Sequence, residues 1–543
     1  MSQNTVNFPS NCALMNYDVL LAIFDGSYYR DRRELAAFDL RNCALACRAF
    51  NEPALRALWK TMSPPKPLWH LLAPDRHPEE IISDELYKDA ARWNRFQWYA
   101  RFVRELEIPH HGSSAMRDAQ IIRCLLNYNG RNSFTPSLRV LSYPPESIWD
   151  DSFCALFTPR LRDVTLHYTH PFRFDEHQWI RFGQSVSNVP YEEPVRRLRD
   201  SSPHLESLRL YSAGITPNLL TAITSFEHLR EARLGTINSE AFRNLVAMPK
   251  LTNLEVYSLD WDEQTLACEP ICARSLRSLV VGDDASTLEN FFYALDAPSL
   301  EAATLHLFRD DTDAALNYVP CLSALARAVD PAIFRALALE AGYSRGPVPE
   351  LSLVELLAPL FQLRALRHLD LSGTRLPLFA EDQDFMYLAL AWPKLETLSI
   401  SPMSQDLDDV CQVPSPVVLD HLRMFCPNLQ RLRLPYLDLR GREFEIVPPP
   451  RGRARHGLVA LTIGSVHRPA LACEGQDEPE PDAKQIDDLA QYLLQLFPAL
   501  EFPQPKQSGK VAWPCGLGDV LATSASEPTW GKVYDRCRVL REA

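Results

Sequence analysis

The residues best suited to chemistry in this 543-residue chain are three histidines, His167, His170 and His177, grouped near Asp175 and Glu176. Imidazoles beside carboxylates are the raw material of a divalent metal site, but this spacing fits no metal-binding pattern and reads as a surface loop. His110–His111 lies in a turn. The thirteen cysteines are scattered and form no CxxC pair. Cys43 and Cys47 stand four apart, as do Cys268 and Cys272, without a second pair or a His pair at metal spacing. No P-loop, GxGxxG fingerprint, GxSxG elbow, HExxH helix or HRD–DFG pair occurs. The sequence offers surfaces rather than a reaction centre, with no cofactor implied.

Composition narrows the class. The 69 acidic and 56 basic residues leave a formal charge of −13 and a pI near 5.6, against the footprint of a nucleic-acid binder. No apolar run is long enough for a membrane span, and MSQNTVNFPSNC lacks the layout of a secretion signal. Unpaired cysteines then read as reduced thiols of a soluble protein in the cytoplasm, the nucleus or both. The length suggests two to four domains.

One template recurs along most of the chain: Pro-x-Leu-x-x-Leu-x-Leu, seen as PSLRVLSY from Pro136, PHLESLRLY from Pro203, PKLTNLEVY from Pro249 and PNLQRLRL from Pro427. Further copies start at Pro159, Pro298 and Pro393. Its first apolar position falls at 103, 138, 161, 205, 229, 251, 276, 300, 334, 366, 395, 429, 458 and 500. Most steps are 22–35 residues, the two longest 44 and 42. Leu-x-Leu alternates with the period of a half-buried strand. Helix-period segments lie between copies, at 114–129, 216–226, 286–297, 417–426 and 486–497. The proline ends the preceding helix. A strand and a helix per repeat make an α/β leucine-rich-repeat solenoid, a horseshoe, over 93–502 with about fourteen irregular repeats. Residues 170–200 and 306–350 carry inserts, EGQDEPEPD at 474–482 reads as a disordered loop, and 503–543 is a tail with a short helix from Trp530 that caps the last repeat.

Within each strand the second and third apolar residues point into the core, and their neighbours face the concave side. That places Ser207, Arg209 and Tyr211, then Glu231 and Arg233, then Asn253, Glu255 and Tyr257 on the concave face. His368 and Asp370, Thr397, Ser399 and Ser401, and Arg431 and Arg433 follow. Arginine and tyrosine dominate binding hot spots, which singles out Arg209, Tyr211, Arg233 and Tyr257. The plainer reading is a solvated strand face.

The first sixty residues are different. YDVLLAIF at 17–24 reads as a helix apolar on more than one face and buried on several sides. A second helix runs from about Asp31 through Phe38, a third spans Asn42–Phe50, and a fourth starts at Pro53 and ends near Met62. So small a unit buries too little surface to be comfortable alone, so its surplus apolar residues mark either an interaction site or a cap on the solenoid.

MNYDVLLAIF followed by LRNCALACRAFNEPALRALWKTM resembles the F-box, in the form abundant in mushroom-forming fungi. Met15, Asp18, Val19, Leu20, Ile23 and Phe24 match the Leu-Pro-x-Glu-Ile-Leu start; Cys47, Arg48, Phe50, Leu58 and Trp59 match the later part. Asn16 stands where the family usually has Pro, and Phe50 where Trp is commoner. WNRFQWYARFVREL at 93–106 looks like the first strand region of fungal F-box proteins with leucine-rich repeats. The resemblance implies an F-box over 14–62, a linker and helical connector over 63–92, and the non-catalytic substrate receptor of an SCF-type ubiquitin ligase. It implies a Skp adaptor held by Met15, Val19, Leu20, Ile23, Phe24, Leu45, Phe50, Leu58 and Trp59, a cullin reached through that adaptor, and a protein target on the repeats. No RING-type zinc pairs or catalytic-domain thiol are visible that would make the chain a catalytic ligase itself. A repeat scaffold or inhibitor with no ubiquitin role is the alternative.

Overall fold

The structure is a computed structural model. It describes residues 16–25, 33–73, 89–108, 113–143, 152–167, 191–211, 214–261, 270–307, 318–341, 351–373, 378–400, 414–437, 456–465, 483–501 and 528–542. The chain divides into two compact units, Met1–Gly235 and Thr236–Ala543.

The repeat template folds as its spacing demands. All fourteen opening residues (Val103, Leu138, Leu161, Leu205, Leu229, Leu251, Leu276, Leu300, Phe334, Leu366, Leu395, Leu429, Leu458 and Leu500) are 0 % exposed. In the first unit they introduce β2 (Glu105–Glu107), β3 (Val140–Tyr143), β4 (Asp163–His167), β5 (Ser207–Tyr211) and β6 (Glu231–Asn238), preceded by a short β1 (Thr61–Met62). Each pairs parallel with its predecessor, Glu105 opposite Thr61, Val140 opposite Glu105, Asp163 opposite Val140, Ser207 opposite Asp163 and Glu231 opposite Ser207. In the second unit the same order holds for β7 (Asn253–Asp260), β8 (Ser278–Asp283), β9 (Ala302–Leu307), β10 (Ala336–Ala341), β11 (His368–Gly373), β12 (Thr397–Ile400), β13 (Arg431–Tyr436) and β14 (Ala460–Ser465). Parallel neighbours in chain order need a crossover each time, which the helices between them provide.

The proline of the template has a second task. In all seven proline copies the residue before Pro accepts a hydrogen bond from the N–H of the opening apolar residue, as in Ser202 O from Leu205 N at 3.2 Å and Cys426 O from Leu429 N at 3.1 Å. This is a four-residue turn with Pro at its second position, where the ring presets φ. The next residue then serves the following repeat. Lys60 O accepts both Arg104 N and Glu105 N, Arg104 O both Arg139 N and Val140 N, and Arg139 O both Arg162 N and Asp163 N. In the second unit Thr252, Arg277, Glu301, Arg335, Arg367, Glu396 and Gln430 each accept the same two donors, and Val459 O accepts Glu501 N.

The helices expected between repeats form at Ser113–Tyr128, Pro217–Thr224, Ala285–Ala294, Val417–Phe425 and Ala483–Leu496. Thr216 and Asp284 cap two of them through their side chains. The tail helix Pro528–Glu542 lies on Ala483–Leu496: Val533 and Cys537 are buried, and Arg536 Nε stands 2.6 Å from Asp487. Two further short parallel pairs, Ile271–Cys272 with Leu295–Asp296 and Leu351–Ser352 with Leu378–Phe379, were not expected from the template.

The connector expected over 63–92 contains helix Lys66–Leu72, whose Trp69 is buried and donates its indole N–H to Asp118 at 2.9 Å. The stretch 93–106 is mainly helix Ala90–Ala100, with only its end entering β2, so it is not a strand region throughout. Among the described residues no helix is long and apolar enough to cross a membrane. Ser401, His110–His111, His170, His177, the acidic turn after Phe308, the 474–482 loop and the 503–527 part of the tail lie outside the described residues.

Candidate functional site

Two surfaces carry the residues singled out by sequence. The first is built from three helices, α1 (Tyr17–Asp25), α2 (Arg33–Ala46) and α3 (Arg48–Leu58). Asn16 starts α1: its side-chain oxygen accepts the N–H of Asp18 at 2.9 Å and of Val19 at 3.3 Å. A residue that departs from the F-box pattern is thus a helix cap. The expected second and third helices are one unbroken α2, and α3 begins at Arg48 after an extended Cys47, so Pro53 lies inside it rather than at its start. Pro53 is the sixth residue of this helix, past the first turn, and has no N–H to give to the carbonyl four residues earlier.

Leu20, Phe24, Leu40, Ala44 and Ala54 form the module's core, with Phe50, Leu55 and Leu58 packed against it. Phe24 meets Phe50 edge-on at 5.8 Å. α1 is therefore buried along one side, not several. Leu20, Phe24, Phe50 and Leu58, expected on the adaptor-facing surface, hold the module together. Val19, Ile23, Phe38 and Leu45 are 38, 50, 63 and 75 % exposed. Val19 and Ile23 are one turn apart on α1, and Phe38 and Leu45 two turns apart on one side of α2, with the exposed Arg41 and Asn42 between them. Phe38 is a large exposed apolar residue that the sequence reading does not single out, though its seven-residue spacing from Leu45 is a signal. Met15 lies outside the described residues.

The module's far end is committed elsewhere. Trp59 packs on Tyr99 of helix Ala90–Ala100 with ring centroids 4.6 Å apart. The Arg56 guanidinium lies over both the Tyr17 and Phe102 rings, at 5.4 and 5.5 Å. Lys60 Nζ reaches Asp25 at 2.6 Å, and Thr61 donates its hydroxyl to Glu105 at 2.7 Å while its strand pairs with β2. Trp59, expected to face an adaptor, instead joins the helices to the first repeat.

The second surface is the polar side of the strands. In the first unit Arg209 donates to Glu231 at 3.0 and 3.1 Å and lies 3.6 Å from Asp163; Arg233 donates to the same Glu231 oxygen at 3.1 Å. Burial pushes the Asp163 carboxyl above its usual range, opposed by Arg209. Two arginines and two carboxylates balance, so Arg209 and Arg233 are not spare cations awaiting a ligand. The side chain of Tyr211 lies outside the described residues.

In the second unit Glu255 and Tyr257 are half-buried on β7. His306 Nδ1 meets Glu340 at 2.9 Å, directly across β9 and β10. On β11–β13 two rows run side by side in register, His368–Thr397–Arg431 and Asp370–Ser399–Arg433. Burial holds His368 below the ordinary imidazole range, with Arg367 and Arg431 acting the same way against Glu396. Arg367 pairs with Glu396 at 2.8 Å. Thr397 and Ser399, expected to be open on this face, are buried beneath their longer neighbours.

Among the described residues no group of three or more His, Cys, Asp or Glu is placed to hold a metal ion. No family model matches this chain, and neither does any curated protein. It is similar to a solved structure described as "Crystal structure of Rad7 and Elc1 complex in yeast", at 15 % identity and a TM-score of 0.35, over 79 % of this chain and 97 % of that one.

Proposed function

We propose that this chain is a non-catalytic receptor subunit of an SCF-type ubiquitin ligase. Helices α1–α3 dock a Skp-type adaptor, which links the chain to a cullin, and the polar strand faces bind the protein to be modified. The observation that carries this reading is the apolar surface left over once the module's own core is complete: Val19, Ile23, Phe38 and Leu45 remain exposed on a unit of three short helices. The F-box resemblance names the partner such a surface takes. The repeats add a long display of polar side chains, suited to a protein in the cytoplasm or nucleus.

One observation favours a scaffold reading instead. Trp59, Arg56 and β1 bind the module to the first repeat as a solenoid cap would be bound. A pull-down between the purified full chain and a Skp adaptor separates the two. Capture by the wild type and loss in Ile23→Asp with Leu45→Asp supports the receptor; no capture by a folded wild-type chain overturns it.

A further inference from the structure

One residue per repeat offers its carbonyl to the next repeat, and the side chains of these residues line one edge of the sheet. In the first unit the row runs Arg104, Arg139, Arg162, Glu206, Arg230, at the strand spacing of about 4.8 Å. Arg104 lies 3.9 Å from Asp25. Arg162 leans toward the following repeat, 3.4 Å from Glu206, and donates to the His204 carbonyl at 2.9 Å. Between them the Arg139 guanidinium is exposed and has no partner among the described residues, and the same holds for Arg160.

Arg139, Pro159, Arg160 and Arg162 line a cleft of about 250 Å³. Pro159 and Arg160 form the tip of a turn closed by Leu161 N to Thr158 O at 3.1 Å. That turn is clamped from both sides: the Thr158 hydroxyl donates to Leu138 O at 3.1 Å, and the Ser202 hydroxyl donates to Thr158 O at 2.7 Å. The wall of the cleft is therefore fixed in place before any ligand arrives. Its mouth is open, since Arg139, Pro159 and Arg160 are all exposed. β3 and β4 run away from this edge, so the chain that follows each begins on the opposite side.

Guanidinium forks bind carboxylates and phosphates with the same geometry, and charge separates the two. A phosphate monoester carries about −1.5 to −2 at pH 7, which two unengaged guanidinium groups match and a carboxylate does not. We propose that Arg139 and Arg160, with Arg162 beside them, bind a phosphate monoester carried by a phosphorylated side chain of the target protein. The carrier rests on the receptor reading, whereas the cleft is a property of the turns before β3 and β4.

A ³¹P NMR titration of N-acetyl-phosphoserine methylamide with the full chain tests it. The probe resonance should shift and broaden saturably, with affinity about tenfold or more weaker in Arg139→Gln with Arg160→Gln, because hydrogen bonds between charged groups are lost. The melting temperature of that variant should stay at the wild-type value, since neither guanidinium has a partner to lose. Arg335→Gln, at the equivalent row position of the second unit, should bind the probe as the wild type does. N-acetyl-glutamate methylamide should compete only weakly; competition as strong as that of unlabelled phosphoserine probe overturns the assignment to phosphate. Binding of inorganic phosphate without binding of the phosphoserine probe overturns a protein-borne carrier. No saturable binding, or full binding by the double variant, overturns the cleft itself. Should the double variant fail to fold, Arg160→Gln decides, with several-fold weaker binding expected and unchanged binding fatal. Adaptor capture is read separately, so loss of probe binding with capture intact defeats only the cleft, and the reverse defeats only the receptor.

Discussion

Trp59 lies against Tyr99, their rings 4.6 Å apart and inclined by 34°. The contact crosses from the three-helix module to the helix that leads into β2, in the same unit of the chain. It shows that two aromatic residues, one of them part of the F-box resemblance, serve as a joint. Trp59→Ala should destabilise the folded chain by about 2 kcal/mol, less than a fully buried aromatic because Trp59 is only half-buried. The urea midpoint should fall while adaptor capture, measured where the protein is still folded, stays at the wild-type level.

Ile23→Asp should behave in the opposite way. Its side chain is half-exposed and outside the module's core, so stability should change by no more than about 0.5 kcal/mol. Binding to a Skp adaptor, followed by surface plasmon resonance, should be lost.

Asn16→Ala removes the cap at the start of α1, where two backbone N–H groups lose their acceptor. The cost should be about 1 kcal/mol, and Asn16→Asp should restore it. Urea unfolding of the three proteins measures both effects. Equal stability of Asn16→Ala and wild type would count against the capping role.

Asp283 supplies a pH dependence with a defined sign. Its carboxyl accepts the N–H of Leu259 at 2.7 Å, and burial raises its pKa from 3.8 to about 6. The folded state therefore holds this proton more tightly than the unfolded state. Its contribution favours folding below 3.8 and is lost as pH rises through about 6. Unfolding at pH 4 and pH 7 should show a fall in stability in the wild type that is smaller in Asp283→Asn.

Thiol reactivity should divide the cysteines. Burial pushes the thiols of Cys321, Cys426 and Cys537 up to about 12, whereas Cys47 and Cys272 are exposed. A disulfide reagent should label Cys47 and Cys272 in the native chain and reach the other three only after denaturation. Mass mapping of the labelled peptides reads the order directly.

The repeats were legible because their signal is periodic and redundant. A single leucine says little, but Leu205, Leu229 and Leu251 head the same pattern and are all buried to the same depth. The helical module was harder. The sequence marks no start for α3, since Cys47 gives no side-chain cap, and Pro53 looks like a beginning while standing inside the helix. The Arg209–Glu231 pair spans 22 positions and depends on strand register. Aligning the copies headed by Leu205 and Leu229 would have set Ser207 beside Glu231 and Arg209 beside Arg233, as the structure does. Burial of Thr397 and Ser399 had no such signal, because it comes from the length of the side chains on the strands alongside.

The twice-used carbonyls have a consequence for how the protein comes into being. Arg335 O, for example, receives Arg367 N and His368 N, both from the repeat made after it. For these two bonds each repeat within a unit thus finds its acceptor in chain already synthesised. Growth from the amino end supplies the rungs in the order they are needed, so that building the chain and stacking it can proceed as one process.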